Sequence, residues 1–201
     1  MRMISKPRQA LVLVAGLLAC LPAWGIDCRH AGEDYARLIC KSRRLMAADQ
    51  GLNSVYAAAL EHASHPGEVQ RSQRAWISAV QSRCGTEACL AKAYTMRMQQ
   101  LAASYAAWCT AGRGGLQHDW RGDGDAFFEE LSIGAGSFSS WLHQRPETSG
   151  SWSAQGCSLV LHAQPDGLEF RWILLDLGPR RLRVFDLDDQ DVAVYTRSGG
   201  P

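Results

Sequence analysis

The amino-acid sequence predicts an α+β fold, in which an N-terminal disulfide-stapled antiparallel helical bundle precedes a small antiparallel β-meander domain. Apolar residues recur at helical spacing as far as Cys109, whereas short apolar runs between turn residues fill the region after Ala111. No internal repeat interrupts either half. The predicted division is a signal peptide over 1–25, a helical domain over 26–109, a glycine-rich linker over 110–118 and a β domain over 119–201.

The first 25 residues have the pattern of a secretory signal peptide. Three basic residues and no acid precede an apolar run over 10–21, which stops at Pro22. A membrane-spanning helix needs roughly 20 apolar residues, so this run is too short to be one. The small residues Ala23 and Gly25 favour cleavage after Gly25 and release into the periplasm or the medium.

A second processing route remains open, because 17–20 resembles a lipobox. Cys20 would then become a lipidated first residue and anchor the protein to a membrane without a transmembrane segment. The leucine before Ala19 is atypical for a lipobox, and an ordinary cleavage site follows. We therefore favour the free form over the lipoprotein.

Without Cys20, the chain keeps an even set of cysteines: Cys28, Cys40, Cys84, Cys89, Cys109 and Cys157. An even set in an exported protein predicts disulfides, because the compartment is oxidising. Zinc is not expected, since the sequence has no C-x-x-C pair and no histidine pair at ligand spacing beside these cysteines. The net charge is +1, and loss of the basic leader brings it near −2. Nothing in this balance predicts a nucleic-acid partner.

The helical half divides into a short helix near 32–40 and three longer ones. Ser42 is the predicted N-cap of the first long helix, which ends at 64–67 before the proline and glycine there. A second apolar stripe runs over 69–80. Thr86 is the predicted N-cap of the last helix.

The β half is predicted from short runs and the turns between them. The strands are expected at 127–133, 138–142, 157–163, 168–177, 182–187 and 192–196. Connections of two to four residues indicate antiparallel neighbours. The side chains expected to fill the core are Trp120, Trp141, Trp152 and Trp172.

No motif predicts an enzyme or a cofactor. The segment 134–137 is not G-x-S-x-G, and Glu129 and Glu130 are adjacent on a predicted strand, so they point to opposite faces. A calcium loop at Asp119, Asp123 and Asp125 is disfavoured, because aspartates are ordinary turn residues and the loop-closing glutamate of an EF-hand is missing.

Four further side chains have both a structural and a functional interpretation. His62 and His65 are expected to be exposed at a helix end rather than to bind metal. Trp76 and Tyr94 are expected to pack in the core, because they stand on apolar stripes.

The helical half resembles the N-terminal domain of the LprI-type lysozyme inhibitors over about 80 residues. The matching residues are Asp27-Cys28, Ala31, Glu33, Ile39-Cys40, Leu45, Asp49, Leu52, Tyr56, 73–77, Cys84, Cys89-Leu90, Tyr94, Arg97 and Leu101. The positions taken as the family motif are Glu33, Asp49, Tyr56, Gln73, Trp76 and Tyr94. One departure is Val80, which stands where the family usually has an arginine one helical turn after the tryptophan.

The resemblance implies an exported binding protein that blocks a lysozyme by occupying its cleft, without chemistry of its own. Arg71, Arg74 or Arg97 would supply a donor to the cleft carboxylates. The alternative is an envelope assembly module whose β domain binds a partner protein, since the resemblance does not reach that domain.

The disulfide pairing is open at this stage, because four cysteines in the helical half allow three connectivities. We favour cross-pairing between Cys28 and Cys40 on one side and Cys84 and Cys89 on the other, which would clamp the short helix to the far end of the bundle. Cys109 and Cys157 are left for each other.

Overall fold

A computed structural model describes residues 26–124 and 126–199 of the chain. The predicted signal peptide, the lipidation site at Cys20 and one of the three disfavoured calcium ligands, Asp125, lie outside the described residues. Within them, no helix is both long and apolar enough to span a bilayer.

The described N-terminal part holds five α-helices, and the caps predicted for two of them are confirmed. The helices are α1 (Asp34–Lys41), α2 (Arg43–His62), α3 (Pro66–Arg83), α4 (Glu87–Ser104) and α5 (Ala106–Gly112). Ser42 Oγ accepts the N–H of Leu45 at 3.2 Å, and Thr86 Oγ1 accepts the N–H of Cys89 at 3.3 Å. Pro66 is the first residue of α3, where its missing N–H costs nothing.

The described β half is a closed antiparallel barrel in which each strand pairs with its neighbours in sequence. The strands are β1 (Asp119–Gly122), β2 (Glu130–Ile133), β3 (Ser137–Leu142), β4 (Arg145–Gln155), β5 (Ser158–Gln164), β6 (Glu169–Leu177), β7 (Arg181–Asp186) and β8 (Asp191–Arg197). The predicted meander is confirmed. Its closure through β1 and β8, in which Trp120 stands opposite Arg197, is an addition to the prediction.

Two of the four tryptophans expected in the core are fully buried. Trp120 and Trp172 are 0% and 1% exposed, and their indole N–H groups donate to Leu116 O at 2.9 Å and to Asp186 Oδ2 at 2.7 Å. Trp141 and Trp152 are only half-buried; Trp152 still packs against the core, so the prediction is corrected for Trp141. Trp152 lies at the barrel end, where its indole donates to the carbonyl of Gly134 at 2.9 Å.

The helices and the barrel share one apolar core, in which α2 lies across β6, β7 and β8. The closest approach is at Gly51, where a Cβ atom would stand 2.2 Å from two ring atoms of the fully buried Phe185. The hydroxyl of Tyr105, which lies next to α5, donates a hydrogen bond of 2.9 Å to the carbonyl of Leu174 in β6. The two predicted domains are therefore packed as one body.

The segment predicted as a glycine-rich linker over 110–118 is largely helical, which corrects the prediction. It contains the end of α5 and a 3₁₀ turn over Arg113–Leu116. Cβ positions built on Gly112 and Gly115 would lie 3.4 and 3.7 Å from Leu177, which is ordinary van der Waals contact, so this helical segment packs beside the end of β6.

The unpredicted α5 also explains why the expectation for His62 is wrong. The imidazole stacks on the indole of Trp108 with ring centroids 3.8 Å apart, and its side chain is only 11% exposed. His65 is exposed at the N-cap of α3, as expected. A local sequence pattern around His62 could not predict this stacking contact, because Trp108 lies 46 residues further along the chain.

The cysteines pair as Cys28–Cys40, Cys84–Cys89 and Cys109–Cys157. The cross-pairing expected in the helical half is wrong. A 3₁₀ turn over Cys28–His30 folds back beside α1 and brings the Cα atoms of the first pair within 5.6 Å, while the α3–α4 turn brings those of the second within 5.4 Å. Both short bridges therefore fix local turns.

The pairing of Cys109 with Cys157 is confirmed, and it joins α5 to the barrel. Its sequence separation of 48 residues compares with 12 and 5 for the other bridges. In the chain-entropy description these loops contribute about 4, 3 and 2 kcal/mol. The longest bridge thus stabilises the contact between helices and barrel.

Substituting Gly51→Ala tests the contact between α2 and β7. In a free helix alanine would stabilise by about 1 kcal/mol, but overpacking a buried contact costs about 1–3 kcal/mol. We expect the free energy of unfolding in urea to fall, by up to about 2 kcal/mol. The neighbouring exposed position gives the control, since Gln50→Ala should change it by less than about 0.5 kcal/mol. A Gly51→Ala protein more stable than the parent would contradict the close approach.

Candidate functional site

A buried carboxylate, Asp49, lies at the centre of the helical domain. Its residue is 8% exposed on α2. It accepts three hydrogen bonds: from the backbone N–H of Ile26 at 3.1 Å, from the hydroxyl of Tyr94 at 3.0 Å and from the amide of Asn53 at 3.4 Å. Burial raises the pKa of the Asp49 carboxyl, and these bonds oppose that effect.

The hydrogen bonds of Asp49 continue to a third helix. The hydroxyl of Tyr94 on α4 lies 3.2 Å from the hydroxyl of Tyr35 on α1. Burial raises the pKa of both phenols, so both stay protonated at neutral pH. The chain of bonds joins the segment before α1, α1 itself, α2 and α4.

A second buried polar group is Arg97 on α4, which is 6% exposed. Its guanidinium donates to Gln73 Oε1 and to Ser72 Oγ, both at 2.8 Å, and to Gln100 Oε1 at 3.3 Å. Among the described residues no carboxylate lies within 4.0 Å of its nitrogens. Burial lowers the pKa of this guanidinium, although it remains charged. Neutral partners from α3 and α4 thus hold a positive charge that has no carboxylate beside it in the described part of the chain.

Most of the motif positions line a small cavity of about 110 Å³ between α2 and α3. Its walls include Asp49, Tyr56, Gln73 and Trp76. Tyr94, which bonds to Asp49, packs beside it with its ring centroid 5.6 Å from that of Trp76. The core position expected for Tyr94 is confirmed at 1% exposure, while Trp76 is half-buried.

The remaining motif position, Glu33, lies apart from this cavity. It is exposed at the N-cap of α1 and makes no side-chain capping bond there. The buried motif residues hold the bundle together, whereas Glu33 faces solvent. The residue that departs from the family pattern, Val80, is buried at 6% exposure in the core.

The three arginines considered as donors lie at different depths. Arg71 and Arg74 are exposed on α3, whereas Arg97 lies under the surface. A wider concavity of about 470 Å³ opens beside Arg97, and its lining includes His65 and Glu68. Neither Arg71 nor Arg74 is among the residues that line this concavity. We call the outer surface of α3 that carries these two arginines the α3 face, and it offers guanidinium donors to an acidic partner.

One arrangement on the barrel was not found by sequence reasoning. Ser153 Oγ lies 3.2 Å from His162 Nε2, and His162 Nδ1 lies 3.1 Å from Glu169 Oε1. Strand register explains it, because His162 stands opposite Glu169 on β5 and β6. The order of the groups is that of a serine-hydrolase triad, but the serine and the glutamate are solvated on the outer face of the barrel. The geometry is that of a cross-strand polar ladder.

The described residues contain no cluster of three or more histidine, cysteine, aspartate or glutamate side chains placed to hold a metal ion. The acidic β7–β8 connection is explained by its own bonds: Asp186 accepts the N–H groups of Asp188 and Asp189 at 2.7 and 3.0 Å. These are turn contacts.

The fold and the buried residues define a disulfide-bonded α+β protein whose helical part gathers a polar motif around α2. The family model for "Lysozyme inhibitor LprI" matches residues 28–113, which span α1 to α5. The resemblance of the helical part is therefore confirmed, and the family consists of extracytoplasmic inhibitors rather than enzymes. No curated protein and no solved structure matches the chain. The barrel lies outside the matched residues.

Replacement of Arg97 by lysine tests how much the buried guanidinium contributes to the free energy of unfolding. Lysine keeps the charge but loses the planar fork that reaches Gln73 and Ser72 together. We expect Arg97→Lys to lower the free energy of unfolding by about 1–3 kcal/mol in denaturant titrations. The exposed Arg71→Lys on the neighbouring helix is the matched control, expected within about 0.5 kcal/mol of the parent. Equal stability of the two variants would show that the Arg97 bonds contribute nothing.

Proposed function

We propose that the protein acts outside the cytoplasm as an inhibitor of a peptidoglycan-cleaving lysozyme, which it blocks by occupying the substrate cleft. The observation that carries the proposal is the match of the lysozyme inhibitor LprI family to residues 28–113. It covers the helical part as a whole, including both of its local disulfides. A protein partner is thereby implied, and the inhibitor itself performs no reaction.

The chemistry of the target supports a role for the α3 face. Most glycoside hydrolases cleave with a pair of carboxyl groups that flank the scissile bond. A guanidinium binds a carboxylate through two parallel N–H donors, which is a strong and directional contact. Arg71 and Arg74 are exposed one turn apart on a single helix and are free to approach such a cleft. Arg97 contributes by fixing α3 against α4.

A second candidate rests on the barrel, where two large apolar side chains are exposed. Phe127 and Leu168 are 45% and 58% exposed, and the Phe127 ring lies 5.2 Å from that of Phe170. An exposed aromatic side chain that packs against a second aromatic ring, as Phe127 does against Phe170, is a feature of protein-binding surfaces. It favours the alternative in which the barrel recognises a partner protein in the envelope.

The inhibition test uses the purified mature chain with its disulfides formed. Lysozymes of several types are mixed with a cell-wall suspension, and loss of turbidity is followed with increasing protein. We expect inhibition of at least one type, and we expect Arg71→Ala/Arg74→Ala to weaken it about 10-fold or more, since each lost charged contact at an interface is worth about 1–3 kcal/mol.

Two controls distinguish the candidates. Arg43→Ala/Arg44→Ala removes two exposed arginines from the start of α2 and should leave inhibition unchanged. Phe127→Ser perturbs the barrel surface and should also leave it unchanged. Inhibition lost with Phe127→Ser but kept in the α3 variant would assign binding to the barrel. No inhibition of any lysozyme type at a large molar excess would remove the proposed function.

A further inference from the structure

The buried carboxylate of Asp49 has no cationic partner among the described residues. A charge in the interior is costly unless a counter-charge or several hydrogen bonds accompany it. Its three donors are neutral: an amide side chain, a phenol and the backbone nitrogen of Ile26. The nearest group that could become positive is that backbone nitrogen, 3.1 Å from Asp49 Oδ2.

Ile26 is also the first residue after the cleavage site favoured by the sequence, since Ala23 and Gly25 fit the small-residue rule of leader peptidases. Hydrolysis of the Gly25–Ile26 peptide bond consumes one water. It leaves a carboxylate on Gly25 and an amine on Ile26, which takes up a proton at neutral pH. The same nitrogen then changes from a neutral amide to an ammonium group.

We propose that removal of the leader after Gly25 creates the missing counter-charge, so that the new α-ammonium of Ile26 forms a half-buried ion pair with Asp49. Cleavage is then a folding signal as well as a release step. The exported chain gains a positive charge on a contact that the neutral peptide nitrogen already makes, and this contact leads through Tyr94 to α4 and through Tyr35 to α1. Processing before Cys20 would not create it, so the proposal also selects the free form over the lipoprotein.

The surroundings of the nitrogen are compatible with this pair. Ile26 is half-buried and packs against the core, and with Tyr35, Asp49 and Tyr56 it lines the small cavity. The titratable groups that face the site are Asp49 and Tyr56 from α2, Tyr35 from α1 and Tyr94 from α4, while α3 contributes Gln73, Trp76 and Gln81, which do not titrate. The neighbouring Asp27 is exposed and accepts from Arg29 N and His30 instead. No described charge therefore competes for the ammonium.

The pH dependence of such a pair has a definite sign. An α-amino group has an ordinary pKa of about 8, and an ion pair raises it in the folded state. As long as Asp49 is ionised, stability from the pair is thus fully present below about pH 8 and is lost as the pH rises through the raised value. Burial raises the pKa of all three tyrosines, so the phenols do not titrate in this window.

The test begins with export of the full chain through its own leader. The intact mass of the exported protein is then measured, and it should correspond to a chain that begins at Ile26 and contains three disulfides. A second chain carries one alanine inserted before Ile26, which moves the ammonium away from Asp49. We expect its melting temperature at pH 7 to be lower by about 6–12 °C. The difference should shrink between about pH 8 and pH 10.

Introducing Asp49→Asn into both chains completes a double-mutant cycle. Without the carboxylate, the inserted alanine should lower the melting temperature by less than half as much as it does in the parent background. Asp27→Asn is the matched control, and it should leave the fall in melting temperature caused by the inserted alanine unchanged. If the Asp49→Asn chains do not fold, the reactivity of the α-amine at pH 7 toward an acetylating N-hydroxysuccinimide ester replaces them. In that experiment Ile26 should react at least about 10-fold more slowly than the inserted alanine.

Three results would overturn the proposal. The first is a mature chain that begins at a residue other than Ile26. The second is an inserted alanine that costs the same in the Asp49→Asn background as in the parent background. The third is equal acetylation of the two α-amines.

Discussion

The contact between α2 and the barrel is the constraint on which the other features depend. A 20-residue helix must bury one side against the other helices and another side against β6, β7 and β8. Gly51 allows the backbone to meet the ring of Phe185, and Asp49, two residues earlier, faces the bundle with its hydrogen-bonded partners. The position of α2 therefore sets both the orientation of the barrel and the position of the buried carboxylate.

Two opposite charges are buried in the helical part, and each is surrounded by neutral partners. Asp49 connects the segment before α1 to α2 and α4, and Arg97 connects α3 to α4. A buried polar group is satisfied only when its partners stand in one arrangement, so these bonds favour a single packing of the helices over alternatives of similar apolar burial. A rigid α3 would present its exposed arginines to a partner with little loss of conformational freedom on binding.

Local signals in the sequence predicted the parts of the fold that depend on local physics. Ser42 and Thr86 cap helices because their hydroxyls satisfy N–H groups only three residues away. Strand β4 was missed because its Arg145–Gln155 sequence is rich in serine and polar residues, and only pairing with β3 and β5 makes it a strand. Barrel closure and α5 covering His62 depend on contacts distant in sequence, which no local pattern encodes.

The candidate site was predictable in kind but not in arrangement. The resemblance to a family of inhibitors named most of the residues that line the small cavity, yet it could not say that Arg97 is buried whereas Arg71 and Arg74 are exposed. Equally, the disulfide pairing depended on how the segment before α1 folds back, which six cysteine positions do not specify. The burial of an arginine and the distance between two cysteines both follow from packing, and packing depends on the whole chain.

Native-state hydrogen exchange tests most directly whether helices and barrel form one cooperative unit around α2. The most protected amides of α2, between Arg43 and His62, and those of β7, between Arg181 and Asp186, should exchange with the same free energy of opening and the same dependence on denaturant. Exchange of the α2 amides at a denaturant concentration that leaves β7 fully protected would contradict a shared core.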